Sequence, residues 1–431
     1  MTEQPDGGVT MRRAVMADRD ELLTVLTRAF SRDEAHPIDF LSFVPHVFTP
    51  ERIGDHLLYL EGGRILGCLG LYPYEMRVGG VSFRAAALGQ VATLPEARGR
   101  GVMSALLSDI CRDADAAAYD FCWLGGDRTR YGRHGWAIGG MRLRFWFPAR
   151  YLPDPPDESW ARPLDPARDF ELVRDHLAQD ADTVVADDVE LRRILEGEAT
   201  GGWVAGDSFV IHRRGLGNVH LGRGAVEQIG RLLACHLRWL GRQPAWRGDL
   251  VVECAAAPSD LLRAAHVYHA GMTVEPSGMF RLGPLRPFLE KACRVAQPGI
   301  ACGSGRVSLA NADTGETATI TCTNGRLAVR DGAGRTCPRH ASGSARWTSA
   351  CRAFRRIRSS GGSCRCGPAG RVSSGSDGPP PPWRFPTPVL CVVLPGRPGA
   401  GDDALHAPLA PPSRPYGGRL SARGACLRQE P

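Results

Sequence analysis

The sequence has almost no lysine and several other features are missing from it. Lys291 is the single lysine among 53 basic residues in a chain of 431. No run approaches the roughly 20 apolar residues that a membrane-spanning helix needs, and no apolar core follows a basic head at the start. The 14 cysteines show no paired C-x2-C spacing of the kind that zinc sites use. These absences predict a soluble, cytoplasmic protein with free thiols and without a structural metal.

Positive charge is concentrated at the end of the chain. Residues 335–431 hold 15 arginines and 4 acidic residues, whereas the rest of the chain holds 38 basic and 42 acidic residues. An acidic body has no general attraction for nucleic acid or an acidic membrane surface, but it suits a cationic substrate. We therefore expect neither a nucleic acid nor a membrane as the partner of the main part of the chain.

The tail itself has an unusual composition. Glycine and proline make up 28 of its 97 residues, near the share at which a chain reads as low-complexity or disordered. Arginine without lysine, together with Gly, Pro, Ala, Ser and Cys, is typical of a GC-rich gene read in a wrong frame. Our hypothesis is that residues 335–431 are frameshifted. The alternatives are a genuine disordered arginine-rich tail and, with it, a nucleic-acid-binding function that deletion of the tail would abolish.

Three blocks precede the tail, at 10–150, 165–281 and 282–334. The first reads as a helix, an antiparallel meander with Gly-Gly turns at 62–63 and 79–80, a strand, a helix from 101, and further strands that end with one at about 142–147. The second partly repeats the closing half of the first, and the third has a short helix and three alternating strands. The pattern predicts an α/β (α+β) fold with mixed, largely antiparallel sheets flanked by helices.

The segment that carries chemistry joins a strand ending at Pro95 to a helix beginning near Gly101. Such a corner places backbone N–H groups and a helix N-terminus around one concavity, which suits a pyrophosphate. Gly99 and Gly101 allow close approach of the backbone, and Arg98 and Arg100 can add charge-assisted contacts. The alternative is an ordinary strand-to-helix turn with solvated arginines.

This corner resembles motif A of the GNAT superfamily of N-acetyltransferases, whose pattern is [QR]-x-x-G-x-[GA]. Arg98 and Gly101 match it, while Met103 occupies the final small position. A Tyr-Gly-Arg-x-Gly-aromatic element begins at Tyr131. With the degenerate second unit and a third block that looks like an incomplete sterol-carrier-protein-2 (SCP2) fold, the chain resembles the Eis (enhanced intracellular survival) type, which has two GNAT domains and a sterol-carrier-like domain.

The resemblance implies that acetyl-CoA is the co-substrate. The strand before the turn would hold the acetyl carbonyl and the pantetheine, and the turn with the first helical residues would wrap the pyrophosphate. The residues so implicated are Val91, Ala92, Thr93, Arg98, Gly99, Arg100, Gly101, Val102, Met103 and Ser104. The second domain, whose Gly222–Gly224 stretch lacks the spacing of a phosphate turn, is expected to be structural.

Tyr131 matches the general acid of the Eis-type enzymes. A phenol with a pKa of about 10 is protonated at neutral pH and can give its proton to the departing thiolate. The alternative is a core tyrosine with its hydroxyl bound to the backbone. Gln90 occupies the position where many GNAT enzymes have a glutamate base, and the C-terminal carboxylate that serves in the Eis type would be lost in a frameshifted chain.

The acceptor is expected to be a primary amine on a small molecule or a protein. Asp33 and Glu34, which follow the first helix, are candidates for binding it, with a solvated loop as the alternative. The resemblance also implies a homo-oligomer, a hexamer in the Eis type. The alternative function is a catalytically impaired protein that binds acyl-CoA or a lipid.

Overall fold

The protein is described by a computed structural model that covers residues 8–31, 37–198, 200–213, 218–243, 250–300, 303–311 and 314–332. The tail at 335–431, for which the sequence predicts disorder or a frameshift, lies outside the described residues. So do Asp33 and Glu34.

The first part of the described chain forms seven strands and four helices. The strands are β1 (Val9–Arg13), β2 (His56–Glu61), β3 (Arg64–Val78), β4 (Val81–Thr93), β5 (Phe121–Leu124), β6 (Ala137–Gly139) and β7 (Arg142–Phe147), and the helices are α1 (Arg19–Phe30), α2 (Phe40–Phe43), α3 (Val102–Ala116) and α4 (Arg128–Tyr131).

The next part of the described chain contributes eight more strands and four more helices. The strands are β8 (Arg162–Pro163), β9 (Thr183–Val185), β10 (Thr200–Ala205), β11 (Ser208–Arg213), β12 (Asn218–Arg223), β13 (Leu250–Ala255), β14 (Gly271–Glu275) and β15 (Gly278–Leu282), and the helices are α5 (Phe170–Gln179), α6 (Asp188–Glu196), α7 (Val226–Gly241) and α8 (Asp260–Tyr268). The last part holds α9 (Leu285–Ala296), β16 (Gly305–Ala310), β17 (Thr317–Thr323) and β18 (Arg326–Asp331).

Two glycine pairs turn the first meander, as the sequence predicts. Gly62 and Gly63 join β2 to β3 with φ of 57° and 82°, and Gly79 and Gly80 join β3 to β4 with φ of 53° and 75°. Positive φ at both central residues defines the two-residue turn whose twist matches paired strands. The two turns set the antiparallel order β2–β3–β4.

The strands assemble into two large mixed sheets. The first has the order β1-β2-β3-β4-β5-β15-β6, with β9 paired to β3, and the second has the order β14-β7-β13-β12-β11-β10-β8. In each sheet one pair is parallel, β4 with β5 and β12 with β13, while the other pairs are antiparallel. Leu22 of α1 and Leu106 of α3 pack in the core of the first sheet. The predicted fold class is confirmed.

Two strands pair in a different sheet from the one that their position in the sequence suggests. The sequence assigns the strand at 142–147 to the first block, but β7 pairs with β13 and β14 in the second sheet. In return β15 enters the first sheet between β5 and β6. Pairing between strands so distant in sequence leaves no local signal, because the apolar alternation of β7 is the same in either sheet.

The last described block packs on the first sheet. Phe288 and Leu289 of α9 and Ile320 of β17 belong to the same hydrophobic core as β3 and β4. Lys291 Nζ lies 2.5 Å from Oδ2 of the buried Asp120, at the start of β5. The strands β16, β17 and β18 form a separate antiparallel sheet of three.

Seven cysteines in the described part of the chain are free thiols, as predicted, and five of them are buried. Burial raises the pKa of Cys122 to about 12, so this thiol is protonated at neutral pH. Cys302 lies outside the described residues. Among the helices that the structure describes, none is long and apolar enough to cross a membrane.

Candidate active site at the turn between β4 and α3

The first sheet opens where β4 and β5 diverge. Their parallel pairing covers only Ala85–Ala87 opposite Phe121–Trp123. β4 continues to Thr93, whereas β5 ends at Leu124. Beyond Ala87, the side of β4 that faces β5 has no strand partner among the described residues. Its N–H and C=O groups on that side are therefore available to a ligand.

A bulge in β4 marks this divergence. Opposite β3 the register passes from Cys68↔Ala92 to Gly70↔Gly89, so β4 has one residue more than β3 over this stretch. Gln90, inside the bulge, has a φ of 47°, which residues other than glycine rarely adopt. Bulges bend a strand and redirect the residues that follow. Val91, Ala92 and Thr93 follow the bulge, and β4 is still paired with β3 there, Ala92 with Cys68 and Thr93 with Gly67.

The turn after β4 is open. A short 3-10 helix at Pro95–Ala97 leads into Gly99 and Gly101, whose φ values are 79° and 81°. A Cβ atom built on either glycine meets no atom within 4 Å. Both conformations favour glycine, and no side chain of the described residues fills the space in front of them.

Backbone amides at the start of α3 face this space. Ala105 N–H donates to Gly101 O at 3.0 Å, which opens the hydrogen-bond ladder of the helix. The N–H groups of Val102, Met103 and Ser104 precede that ladder and have no acceptor within the helix. With the positive end of the helix dipole they form an anion-binding corner.

The arginines of the turn are directed elsewhere. Arg100 forms a close ion pair with Glu61 at the end of β2. Arg98 donates to Ala29 O at 3.4 Å, at the end of α1. In this arrangement both guanidinium groups bind other elements, and the extra charge that the sequence assigns to them is not placed at the amides of α3.

A different arginine reaches the helix. Arg133 Nη2 donates to Ser104 Oγ at 2.9 Å, in the first turn of α3. Arg133 is exposed, so a ligand at the corner can reach it. The sequence does not single it out, because its proximity to the helix arises from folding of a segment 29 residues further along. The one feature of the sequence that could have indicated a role for Arg133 is its position two residues after Tyr131.

Tyr131 ends α4, directly after β5. Asp127 caps this helix, with Oδ1 accepting from Thr129 N at 2.8 Å. The Tyr131 ring lies over Gly126: a Cβ on this glycine would be 2.8 Å from Tyr131 Cδ2 and 2.6 Å from Leu124 Cδ1. Tyr131 is 8% exposed. The general acid that the sequence predicts is thus at the end of β5, beside the opening between the two parallel strands.

The equivalent corner of the second sheet is closed. There β12 leads into α7, and Gly224 N donates to Asp260 Oδ2 at 2.9 Å. A carboxylate on that amide occupies the position of an anionic ligand and repels a phosphate. Within the described residues, no group of three or more His, Cys, Asp or Glu side chains is placed to hold a metal ion.

Comparison with known proteins agrees with this geometry. The family model of the acetyltransferase (GNAT) domain matches residues 10–139. Residues 10–139 are a GNAT acetyltransferase domain. This match supports the N-acetyltransferase that the sequence predicts, and GNAT enzymes use acetyl-CoA. No curated protein matches the sequence.

Solved structures of GNAT proteins resemble most of the chain. A GCN5-related N-acetyltransferase from Kribbella flavida has a TM-score of 0.52 at 20% identity and covers 77% of this chain and 86% of its own. One from Anabaena variabilis has a TM-score of 0.51 at 14% identity, covering 76% and 86%. Eis1 from Mycobacterium abscessus has a TM-score of 0.49 at 16% identity, covering 80% and 92%. At these identities the similarity to the first two shows the fold alone.

Proposed function

We propose that the protein transfers the acetyl group of acetyl-CoA to a primary amine by direct attack in a ternary complex. The observation that carries this proposal is the open corner between β4 and α3. Two left-handed glycines, empty space in front of them and three amides ahead of the helical ladder are what a diphosphate requires. The GNAT match over residues 10–139 supports acetyl-CoA as the source of this diphosphate.

In this proposal each part of the opening has one task. Amides of Val91 and Thr93 hold the pantetheine and the thioester carbonyl, and stabilise the oxyanion that forms when the amine attacks. The C–N bond forms, the C–S bond breaks, and Tyr131 gives its proton to the departing thiolate. The amine loses its proton to a base other than Gln90, because a carboxamide is not basic near neutral pH.

Binding of the phosphates is assigned to the turn and to one guanidinium from outside it. The residues from Arg98 to Ser104 surround the diphosphate through their backbone, as the resemblance implies. Arg133 adds the charge-assisted contact, since its guanidinium already lies at Ser104 Oγ. Arg133 and Tyr131 belong to one short segment, so phosphate binding also positions the general acid.

We further propose the Eis type for the whole chain. Domains at 10–150 and 165–281, with the second lacking its own acetyl-CoA, are supported by two mixed sheets of similar construction, although β7, β9 and β15 pair across this boundary. The block at 282–334 is assigned to an incomplete SCP2-like domain, residues 335–431 to a frameshifted or disordered tail, and a hexamer to the assembly. The acceptor is a cationic amine, for which Asp33 and Glu34 remain the proposed binding residues.

Calorimetric titration with acetyl-CoA tests the proposal. Wild type should bind, and Gly101→Glu should bind at least tenfold more weakly, because its carboxylate and Cβ enter the anion site. Gly80→Glu is the matched control. Gly80 also has a positive φ and open space around it, but it lies in the turn between β3 and β4, at the opposite end of β4 from the anion site. Equal binding by wild type and Gly101→Glu would remove the assignment of this turn.

Steady-state assays with amines distinguish the enzyme from a binding protein. Release of free CoA that depends on an added amine and falls in Tyr131→Phe supports acetyl transfer. Tight acetyl-CoA binding without turnover of aminoglycosides, polyamines or lysine peptides would instead favour the catalytically impaired acyl-CoA-binding protein.

A further inference from the structure

A chain of three buried side chains connects β2, β3 and the bulge in β4. His56 Nδ1 lies 3.1 Å from Ile53 O, and His56 Nε2 lies 2.9 Å from Tyr72 Oη. The same hydroxyl is in close contact with the Gln90 carboxamide. His56 is 0%, Tyr72 1% and Gln90 5% exposed. The chain lies under the surface and ends on the one left-handed residue of β4.

The hydrogen-bonding groups fix the direction of each bond. A carbonyl only accepts, so His56 Nδ1 carries a proton and donates to Ile53. Burial lowers the pKa of His56 to about 4, so the ring is neutral at pH 7 and its Nε2 is an acceptor. The one proton of the Tyr72 hydroxyl therefore goes to His56. Gln90 must then donate its amide N–H to Tyr72 Oη.

The same reasoning decides which end of the Gln90 carboxamide faces Tyr72. In the structure Gln90 Oε1 lies on the Tyr72 hydroxyl, and Gln90 Nε2 is buried without a partner among the described residues. Turning the carboxamide by 180° places the nitrogen on Tyr72, since the two ends of a carboxamide have nearly the same shape. The result is one directed series of donors: Gln90 to Tyr72, Tyr72 to His56, and His56 to Ile53.

A glycine in β3 leaves the space that the Tyr72 side chain occupies. Tyr72 folds back over Gly70, where a Cβ atom would collide with its hydroxyl and ring. Gly70 pairs with His56 of β2 and with Gly89 of β4. The Tyr72 side chain that covers Gly70 therefore lies across β3, between the two strands whose side chains it connects. The Gln90 backbone is held as well, because Cys68 Sγ contacts Gln90 O at 3.6 Å.

We propose that Tyr72 and His56 are positioning residues for acetyl-CoA, which hold Gln90 in its left-handed conformation and so fix the course of β4 beyond the bulge, at Val91 and Thr93. The inference rests on the proposed function, since acetyl-CoA is the ligand that Val91 and Thr93 would bind. Neither Tyr72 nor His56 touches the ligand, because both side chains are fully buried, with Phe48 stacked on the imidazole at 5.2 Å.

The test compares two ligands on one conservative variant. Tyr72→Phe removes only the hydroxyl and keeps the ring that fills the space over Gly70. Its dissociation constant for acetyl-CoA should rise about tenfold, the effect of one hydrogen bond. Binding of adenosine 3′,5′-bisphosphate, the nucleotide end of CoA without the pantetheine arm, should stay within twofold of wild type, because the phosphate turn is unchanged.

Tyr74→Phe is the matched control. Tyr74 lies two residues further on the same face of β3, and its buried hydroxyl has no partner among the described residues. Its loss should leave both dissociation constants unchanged. A parallel loss of both ligands in Tyr72→Phe would overturn the inference, because a general loosening of the domain would then explain it.

A second variant tests the conformational role itself. Glycine adopts a positive φ freely, so Gln90→Gly no longer needs the side-chain series. Tyr72→Phe combined with Gln90→Gly should recover acetyl-CoA affinity to within threefold of wild type. Failure of this rescue, or wild-type affinity in Tyr72→Phe alone, contradicts the inference. Failure of the wild-type protein to bind acetyl-CoA contradicts the proposed function instead.

Discussion

At the scale of single residues, arginines near the turn between β4 and α3 look equivalent in the sequence but have different partners in the structure. Arg98 and Arg100 flank its glycines, yet they bind Ala29 O and Glu61. Arg133 reaches the first turn of α3 instead. The sequence predicts the glycines and the open amides from local spacing, but the destination of a long side chain depends on which element folds beside it.

The first prediction compares two of these arginines. Arg133→Gln should weaken acetyl-CoA binding about fivefold to tenfold, because one charge-assisted contact to phosphate is lost. Arg100→Gln should change it less than twofold, since Arg100 is engaged by Glu61. Acetyl-pantetheine, which has no diphosphate, should bind both variants equally. A larger loss in Arg100→Gln than in Arg133→Gln would reverse the assignment.

His56 gives the protein a specific pH dependence. Its pKa is lowered to about 4 by burial, whereas an unfolded histidine titrates near pH 6.5. The unfolded chain therefore binds the proton more strongly, and this contribution to stability is complete above pH 6.5 and is lost as the pH falls toward 4.

Urea denaturation measures this effect. Between pH 7 and pH 5 the free energy of unfolding of wild type should fall by about 2 kcal/mol more than that of His56→Gln. Identical slopes with pH for the two proteins would show that His56 titrates normally in the folded state.

At the scale of elements, local signals and long-range pairing differ in what the sequence reveals. The hairpins at Gly62–Gly63 and Gly79–Gly80 are predicted because their φ values require glycine at adjacent positions. The pairing of β7 in the second sheet and of β15 in the first is not predicted, since an alternating strand can pair with any neighbour of suitable polarity. The position of β15 depends on contacts across more than 150 residues.

Gly278 allows β15 to take this position. A side chain here would meet Leu124 O at 2.6 Å as well as the indole of Trp123, and the φ of 155° is unusual for other residues. Gly278→Val should therefore destabilise the protein by about 3 kcal/mol and change the fluorescence of Trp123.

Gly271→Val serves as the control, because its Cβ meets only Trp146 Cε3 at an ordinary 3.8 Å. It should cost less than about 1 kcal/mol. Equal destabilisation by the two substitutions, in thermal unfolding, would show that β15 does not depend on close approach to β5.

At the scale of the whole molecule, the acetyltransferase domain depends on later parts of the chain. β15 completes its sheet, and α9 covers it, with Phe288 and Phe83 ring centroids 6.2 Å apart. The composition of the chain predicts three blocks, but it does not reveal that the third shares the core of the first. Sequence shows which segments are amphipathic, and packing decides where they dock.

Truncation tests this dependence. A chain that ends at Gly332 should unfold cooperatively and bind acetyl-CoA, because all the elements described above are present. A chain that ends at residue 150 should aggregate or bind at least a hundredfold more weakly, because it lacks β15, α9 and the partners of β7. Full binding by the shorter chain would show that the first block is an independent domain.

A crystal structure of the chain ending at Gly332 with acetyl-CoA bound tests the account most directly. We predict the diphosphate within hydrogen-bonding distance of the amides of Val102–Ser104, with Arg133 on a phosphate and the thioester between β4 and Tyr131. A cofactor bound elsewhere, or a corner filled by side chains of the protein in that crystal, would contradict it.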